Sequence, residues 1–526
     1  MFGDRSGKCV NIGNCSLADK REVIVAKAGR DFVCSECGKS LIALTPATAG
    51  SSSRRNAILG IGAVALFGLI GGGVALRSCS GPGDNSAETT SPARSTTVAS
   101  APGVSVPPVP SSEPLLRLGG SNTIGAKLGP ALLVAYFKES GCSDVKSAAP
   151  AADESVVSCS ANGKNLSATV SAHGSSTAFR GLDDKTLDIG MASRRVTRAE
   201  AEKLKALGDM TSPANEHVLG LDGIAVIVHP GNRAAKLTVD QVAAIFSGVI
   251  NDWKQLGGNA GQINVYARDD RSGTFDTFKA LVLDKTPLIT DAKRFEDSAA
   301  LSAAVANDPD GIGFVGLSTI GSAKAVAVGP TGATSLLPNR FTVATEDYAL
   351  SRRLFFYTAQ SSSKPDVARF IEFANSAKGQ AVVEQTGLVP LTIRQERSAV
   401  PTGAPSAYNG LVANALRLSV NFRFRTGSSE FDNRSLKDLD RVTEFLASSS
   451  VNPDRLMLFG FADSRGAATL NQTLSENRAK TVAAALAQRG VEPKTVRGFG
   501  SAIPVADNAT AEGQDKNRRV EVWVAR

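Results

Sequence analysis

From residue 114 onward, apolar positions fall into short runs separated by helical spacings. LLRLGG, LDIGMA, GIAVIVHP, INVYAR and GIGFVG read as strands, and AAKLTVDQVAAIF and TFDTFKALVL read as helices. The alternation predicts an α/β domain with parallel strands over 114–395, long enough for two lobes and a cleft. Residues 411–526 read as strand (RLSVNFRF), helix (SLKDLDRVTEFLAS), strand (RLMLFGFAD), helix (469–489) and closing strand (RRVEVWVA), an α/β sandwich with its helices over one face. In the second helix Leu474, Val482 and Leu486 share one side. Arg478 lies four residues from both Leu474 and Val482, so the spacing puts it on the same stripe. A guanidinium on a buried face needs a partner.

The N-terminal fifth follows another pattern. Residues 57–76 carry no charge, and a helix of that length covers roughly 30 Å, a bilayer core. Arg54 and Arg55 precede the stretch and Arg77 follows it. The bias predicts one membrane span over 56–77, residues 1–55 in the cytoplasm and the bulk of the chain in the periplasm, as in an inner-membrane protein of a Gram-negative bacterium. So long a preamble does not suit the n-region of a cleaved signal peptide. Residues 78–113 are rich in Ser, Thr, Pro, Ala and Gly, and such a stretch is expected to be a disordered tether. A shorter Pro- and Ser-containing stretch, 396–410, reads as a linker between the two globular parts.

The charged fraction is 21% and the net charge +8, with the basic residues dispersed, so there is no footprint for nucleic acid. Three histidines lie far apart, and there is no GxSxG, HExxH or P-loop. Binding is therefore expected rather than catalysis. Of the seven cysteines, Cys9, Cys15, Cys34 and Cys37 precede the predicted span, in CVNIGNC and CSECGKSL. In a reducing compartment four such thiols either stay unligated or share a tetrahedral Zn²⁺. A segment of about 40 residues builds little apolar core without such a staple, which favours structural zinc. Residues 1–45 resemble a small zinc ribbon on that basis. Cys142 and Cys159 can pair in an oxidising compartment, which leaves Cys79 over.

Three strand-to-helix turns in 114–395 carry hydroxyls. VYARDDRSGTFDTF places Ser272 as an N-cap, with the N–H groups of Gly273 and Thr274 free at a helix start and Arg268 at the strand end. LGGSNTIG offers Ser121, Asn122 and Thr123, and AHGSSTAF offers Ser175 and Ser176. Each turn alone is an ordinary cap; three of them with an arginine suggest an oxyanion cradle.

These pieces, with LDIGMASR, LTVDQVAAIFSGVINDW and NDPDGIGFVG, resemble the periplasmic phosphate-binding receptor of phosphate ABC transporters over 114–395. The resemblance implies a two-lobed type II binding-protein fold that closes on a dehydrated tetrahedral oxyanion. It implies a clamp of Arg268, Ser272, Gly273 and Thr274, with Thr123, Ser121 and Asn122 from the first turn and Ser175 from the second. After Ser193 this chain has Arg194, where well-known members have an aspartate that selects protonated phosphate. Arg194 either favours a more highly charged or larger anion, or pairs with a carboxylate such as Asp183 or Asp188.

GFADSRGAATLNQTLSENRAKTV, with NFRFRTGSSEF before it and NRRVEV after it, is similar to the signature of OmpA-like peptidoglycan-binding domains. From the residues alone, Asp463 and Arg478 either pair with each other or border a site for a zwitterion. The resemblance implies that they grip the diaminopimelate of the stem peptide, with Asn471 supporting the loop. The sequence thus predicts a membrane-anchored binding protein for phosphate or a related anion and for peptidoglycan. The alternative is a receptor or sensor subunit serving an ABC transporter or a cytoplasmic signalling partner.

Overall fold

A computed structural model describes residues 5–9, 17, 22–26, 33–35, 41–43 and 113–526, apart from 271, 361, 402, 426–429 and 450. The predicted span at 56–77, all but the last residue of the 78–113 tether, and Cys15 and Cys37 lie outside these residues. No helix among the described residues is long and apolar enough to cross a membrane. Strands Arg5–Lys8, Val23–Ala26 and Ile42–Ala43 form a small antiparallel sheet with Arg5–Lys8 in the middle. Cys9 and Cys34 are buried together with Leu41. No group of three or more metal-ligating side chains gathers among the described residues.

The middle domain is built on one long mixed sheet. In one lobe Leu116–Gly120 runs parallel to both Lys164–Ser171 and Ile189–Ala192. In the other, Asn264–Arg268 runs parallel to Lys293–Phe295 and Gly311–Gly316. The expectation of a parallel sheet therefore holds for each lobe's centre and fails elsewhere. Ser143–Ala151, Glu154–Ala161 and Lys164–Ser171 form an antiparallel meander. The two lobes are joined by antiparallel pairing along Glu216–Val228, a thirteen-residue strand. Its first half pairs with Ser351–Tyr357 and its second half with Gly311–Gly316. That strand is almost wholly buried, and its second half, GIAVIV, reads as a continuous apolar run that carries no sign of strand direction.

Cys142 and Cys159 are bridged across the first two meander strands, with Cα atoms 5.8 Å apart and 17 residues of separation. Closing a loop of this size is worth about 3 kcal/mol. Replacing both cysteines by serine is expected to lower the stability of the middle domain by that amount, read from urea unfolding followed by Trp253 fluorescence.

The C-terminal sheet has five strands, with Arg519–Ala525 in the centre between Ala415–Arg423 and Leu456–Gly460. Alternation along these strands sends Leu418, Val420, Phe422, Val520, Val522 and Val524 under helices Asn433–Ser448 and Ala468–Ala487. The opposite face holds Trp523, Met457 and Phe459, covered by helix Ser406–Val412 through Tyr408. The stretch read as a linker thus contributes this helix. Gln395–Glu396 at its edge adds a strand to the same sheet.

The polar half of RLSVNFRF is buried as well. Arg417, Asn421 and Arg423 are each at most 6% exposed, because this face docks on the Ala344–Asp347 corner of the middle domain. Glu346, at a positive φ of 59°, is the centre of the contact. It receives Arg353 in a bidentate pair, Arg423 at 2.9 Å and Arg434 at 2.9 Å. Arg353 also reaches Asp432 at 2.7 Å, and Arg417 reaches Asp347 at 2.8 Å. Asn421 donates to the carbonyl of Thr345 and to Asp347, and Asn433 donates to Glu216 on the strand shared by both lobes. Burial pushes the Glu346 carboxyl up, but the three arginines outweigh it and hold the group well below its ordinary range.

Candidate functional site

The first hydroxyl turn follows Leu116–Gly120. The N–H of Ser121 donates to the carbonyl of Met191 at 2.8 Å, and Asn122–Gly125 forms a short helix. Ser121 is 1% exposed, and its Oγ has no hydrogen-bond partner among the described residues. A buried hydroxyl in that state is uncommon and points to a missing acceptor or donor. The second turn starts helix Ser175–Asp183. Ser175 Oγ accepts from the N–H of Ser193 at 3.1 Å and shares a hydrogen bond with Ser193 Oγ. The third starts helix Gly273–Phe278, where Ser272 caps the N–H of Phe275. Thr274 follows in the first turn.

The first and third turns meet although they come from different lobes. Thr123 Oγ1 donates to the carbonyl of Gly273 at 3.1 Å. A Cβ on Gly273 would sit 2.6 Å from the backbone nitrogen of Thr123, so this approach requires glycine. Ser121, Asn122, Thr123, Ser272, Gly273 and Thr274 are thereby gathered, and Ser175 pairs with Ser193 just past the end of the parallel strand that neighbours the Ser121 turn.

The expected arginine, Arg268, is engaged by the chain itself: Nε donates to the carbonyl of Phe295 at 3.1 Å, Nη2 to that of Glu296 at 2.6 Å, and Nη1 to Ser298. Its strand ends beside the 295–298 turn, whose carbonyls satisfy the guanidinium. Arg352 stands at the turns. Its Nη2 donates to Thr123 Oγ1 at 2.6 Å and to the carbonyl of Gly273 at 3.1 Å, with Asp222 at 3.5 Å from Nε. The only sequence signal for it is a charged doublet, Arg352–Arg353, in the otherwise apolar run LSRRLFF.

Arg194 pairs with a carboxylate, but with neither of the two aspartates considered. It holds Glu200 in a bidentate contact at 2.7 and 2.8 Å and touches Ser176 Oγ at 3.2 Å. Glu200 lies on the next helix and also closes the capping box of Thr197. Asp188 is held by Arg117 and Lys364.

In the C-terminal domain the buried stripe of helix Ala468–Ala487 is Asn471, Ser475, Ala479, Val482 and Leu486. Leu474 is 37% exposed, so the first half of the stripe is offset by one residue from the predicted one, while Val482 and Leu486 stand as predicted. The reason is the tight contact of Ser475 with the neighbouring strand: a Cβ on Gly460 would lie 2.0 Å from the Ser475 carbonyl. Arg478 is left at the margin, half-buried. It makes one long contact to the carbonyl of Phe461, 3.4 Å, and its guanidinium stands 5.8 Å from the Phe424 ring centre. Among the described residues it has no ion pair. Burial and the nearby Arg518 lower its pKa, opposed in part by Asp463. Asp463 itself is taken by Arg518 at 2.7 Å and by the N–H of Arg465 at 3.0 Å. Burial raises its pKa, and these donors overcome that to leave it below the ordinary value. The two residues therefore influence each other's charge without forming an ion pair.

Residues 140–378 match the PBP superfamily domain, and residues 423–518 match the OmpA family. The phosphate-binding protein PstS of Borreliella burgdorferi is 27% identical over 247 residues, spanning 46% of this chain and 85% of the relative. Protein SphX of Synechococcus elongatus is 28% identical over 271 residues, 48% of this chain and 79% of that protein. The crystal structure of an ABC-type phosphate transport receptor from Vibrio cholerae aligns with a TM-score of 0.42 and 22% identity, over 52% of this chain and 99% of the receptor. The chain thus carries a binding-protein-like domain followed by an OmpA domain. The relative from Borreliella burgdorferi is named as a phosphate-binding protein.

Proposed function

We propose that the middle domain binds phosphate or a related oxyanion at the junction of its three hydroxyl turns, and that the OmpA domain binds peptidoglycan through its diaminopimelate. The buried, unpartnered Ser121 Oγ carries the first half of this reading, beside Thr123, Ser272, Gly273, Thr274 and the Arg352 guanidinium. Similarity to a phosphate-binding protein over most of its length supports it. With Arg194 engaged by Glu200, no acidic acceptor is read at that position, so selection between phosphate and sulfate by proton donation is not expected. The unpaired Arg478 beside Asp463 carries the second half: the guanidinium takes a carboxylate of diaminopimelate and Asp463 an ammonium. The same reading keeps residues 56–77 as a single inner-membrane span, residues 1–45 as a cytoplasmic zinc ribbon and the rest in the periplasm.

Calorimetry with inorganic phosphate and sulfate tests the cleft. Both anions are expected to bind with affinities within about tenfold of each other, and Ser121→Ala is expected to cost about 1–2 kcal/mol through the lost bond to a charged oxygen. Absence of heat from either anion would end the oxyanion reading.

A further inference from the structure

A cavity of about 490 Å³ lies where the C-terminal domain docks on the middle domain. Its wall includes side chains from both. Arg353 and Arg423 face it, but Glu346 and Asp432 already neutralise them, and Arg194 is neutralised by Glu200. Three other cations are poorly matched. Arg195 has its one ion pair among the described residues with Asp432, at 3.8 Å. Lys516 is largely buried, and its one ion pair among the described residues, with the exposed Glu512, is also 3.8 Å long. Arg352 pairs with Asp222 through Nε at 3.5 Å, spends Nη2 on the oxyanion turns and makes no hydrogen bond through Nη1 among the described residues. For the largely buried Lys516 so loose a hold is costly unless an anion joins it, while Arg195 reaches in from an exposed position. Leu281, Phe355 and Phe424 supply the apolar part of the wall.

The cavity lies beside both sites already described. Arg352 belongs to the oxyanion turns, and Phe424 carries the Arg478 guanidinium on its ring. Its volume is in the range of about 300–1,000 Å³ usual for organic ligands and far exceeds a bare tetrahedral oxyanion. Six cations and four carboxylates line it, and Glu200 and Asp222 behind the wall pair with Arg194 and Arg352.

We propose that this interdomain cavity is a third binding site, for an organic molecule bearing two negative charges. Arg195, Lys516 and Nη1 of Arg352 hold the anionic groups, and the carbon skeleton rests on Leu281, Phe355 and Phe424. A phosphorylated sugar and a peptide with two carboxylates both have this chemistry, and separate probes distinguish them.

The test is calorimetry on the purified full chain with glucose 6-phosphate, with an N-acetylmuramyl tripeptide ending in diaminopimelate, and with inorganic phosphate. At least one organic probe is expected to bind. Arg195→Ala and Lys516→Gln are each expected to weaken it about tenfold, the loss of one charged hydrogen bond. Arg195 is 54% exposed, so its variant tests the site without threatening the fold. Neither variant is expected to change the response to inorganic phosphate or sedimentation with murein, so failure here is distinguishable from failure of the oxyanion or wall assignments. The proposal falls if neither organic probe gives heat, or if both variants bind as the parent does. It also falls if the tripeptide signal is lost in Arg478→Ala yet untouched in the other two, because the ligand then sits only at the C-terminal site.

Discussion

Glu346→Gln uncouples the two globular domains. In the parent, this carboxylate is shared by Arg353, Arg423 and Arg434 in a buried interface. Glutamine keeps the shape and removes the charge, leaving Arg353 with Asp432, Arg434 with Asp438, and Arg423 with no ion pair among the described residues. Removing one partner from a buried ionic cluster costs about 3–5 kcal/mol. The loss falls on the contact between domains, so it is read as divided unfolding. The chain has two tryptophans, Trp253 in the middle domain and Trp523 in the C-terminal sheet. Single-tryptophan variants report each domain separately. Coincident denaturant transitions are expected in the parent, and the Trp523 transition is expected to move to lower denaturant once Glu346→Gln is introduced. Transitions that stay coincident and shift by less than about 1 kcal/mol would show the cluster to be near-neutral, a known outcome for buried ion networks.

Acid acts in the same direction. The carboxyls of Glu346 and Asp432 lie below their ordinary values in the folded chain, and that of Glu521 falls to about 2. Their contribution is complete above about pH 4–4.5, where the unfolded carboxyls ionise, and is lost as pH falls through the lower folded values. His217 is pushed from 6.5 to about 4, first by burial and then by Lys437. The unfolded chain takes up that proton between these two pH values while the folded chain refuses it, so stability already declines there.

Arg478→Ala and Asp463→Ala each abolish sedimentation with purified peptidoglycan while leaving circular dichroism unchanged. Arg478 is the half-buried cation without an ion pair among the described residues, so its removal relieves a desolvated charge and leaves little unsatisfied behind. Loss of a bidentate carboxylate contact is worth about 1.5–3 kcal/mol, roughly ten- to hundredfold in affinity, and the paired carboxylate compounds it. Asp463→Ala also frees Arg518, so its fold is checked first; Asp463→Asn is the milder variant. Undiminished sedimentation of both alanine variants would withdraw the diaminopimelate assignment.

The elements of both domains are legible in the sequence because burial imposes period: VEVWV and LMLFGF alternate or run apolar where the sheet needs it, and the motif turns sit at strand ends. What stays hidden depends on partners distant in the chain. RLSVNFRF looks like a strand with one wet face, and nothing local reveals that Arg417, Asn421 and Arg423 face another domain. Arg268 has the expected spacing, but the carbonyls that capture it lie 27 and 28 residues away. Arg352 reaches Thr123 across 229 residues. The pattern misplaces Leu474 by one position because the 3.6-residue period cannot tell which flank of a helix presses on the sheet; the glycine at 460, which permits the contact with Ser475, is the overlooked clue.

Asn433 and Arg434 seat the C-terminal domain on Glu216 and Glu346, at the start of the strand that threads both lobes and at the corner beside its partner strand. A rocking of one lobe against the other strains that seat. Linkage then fixes a reciprocity: whatever factor an occupied cleft contributes to affinity for murein, murein returns to the solute in the cleft. A solute titration repeated in the presence and absence of murein fragments would measure that shared factor from either side.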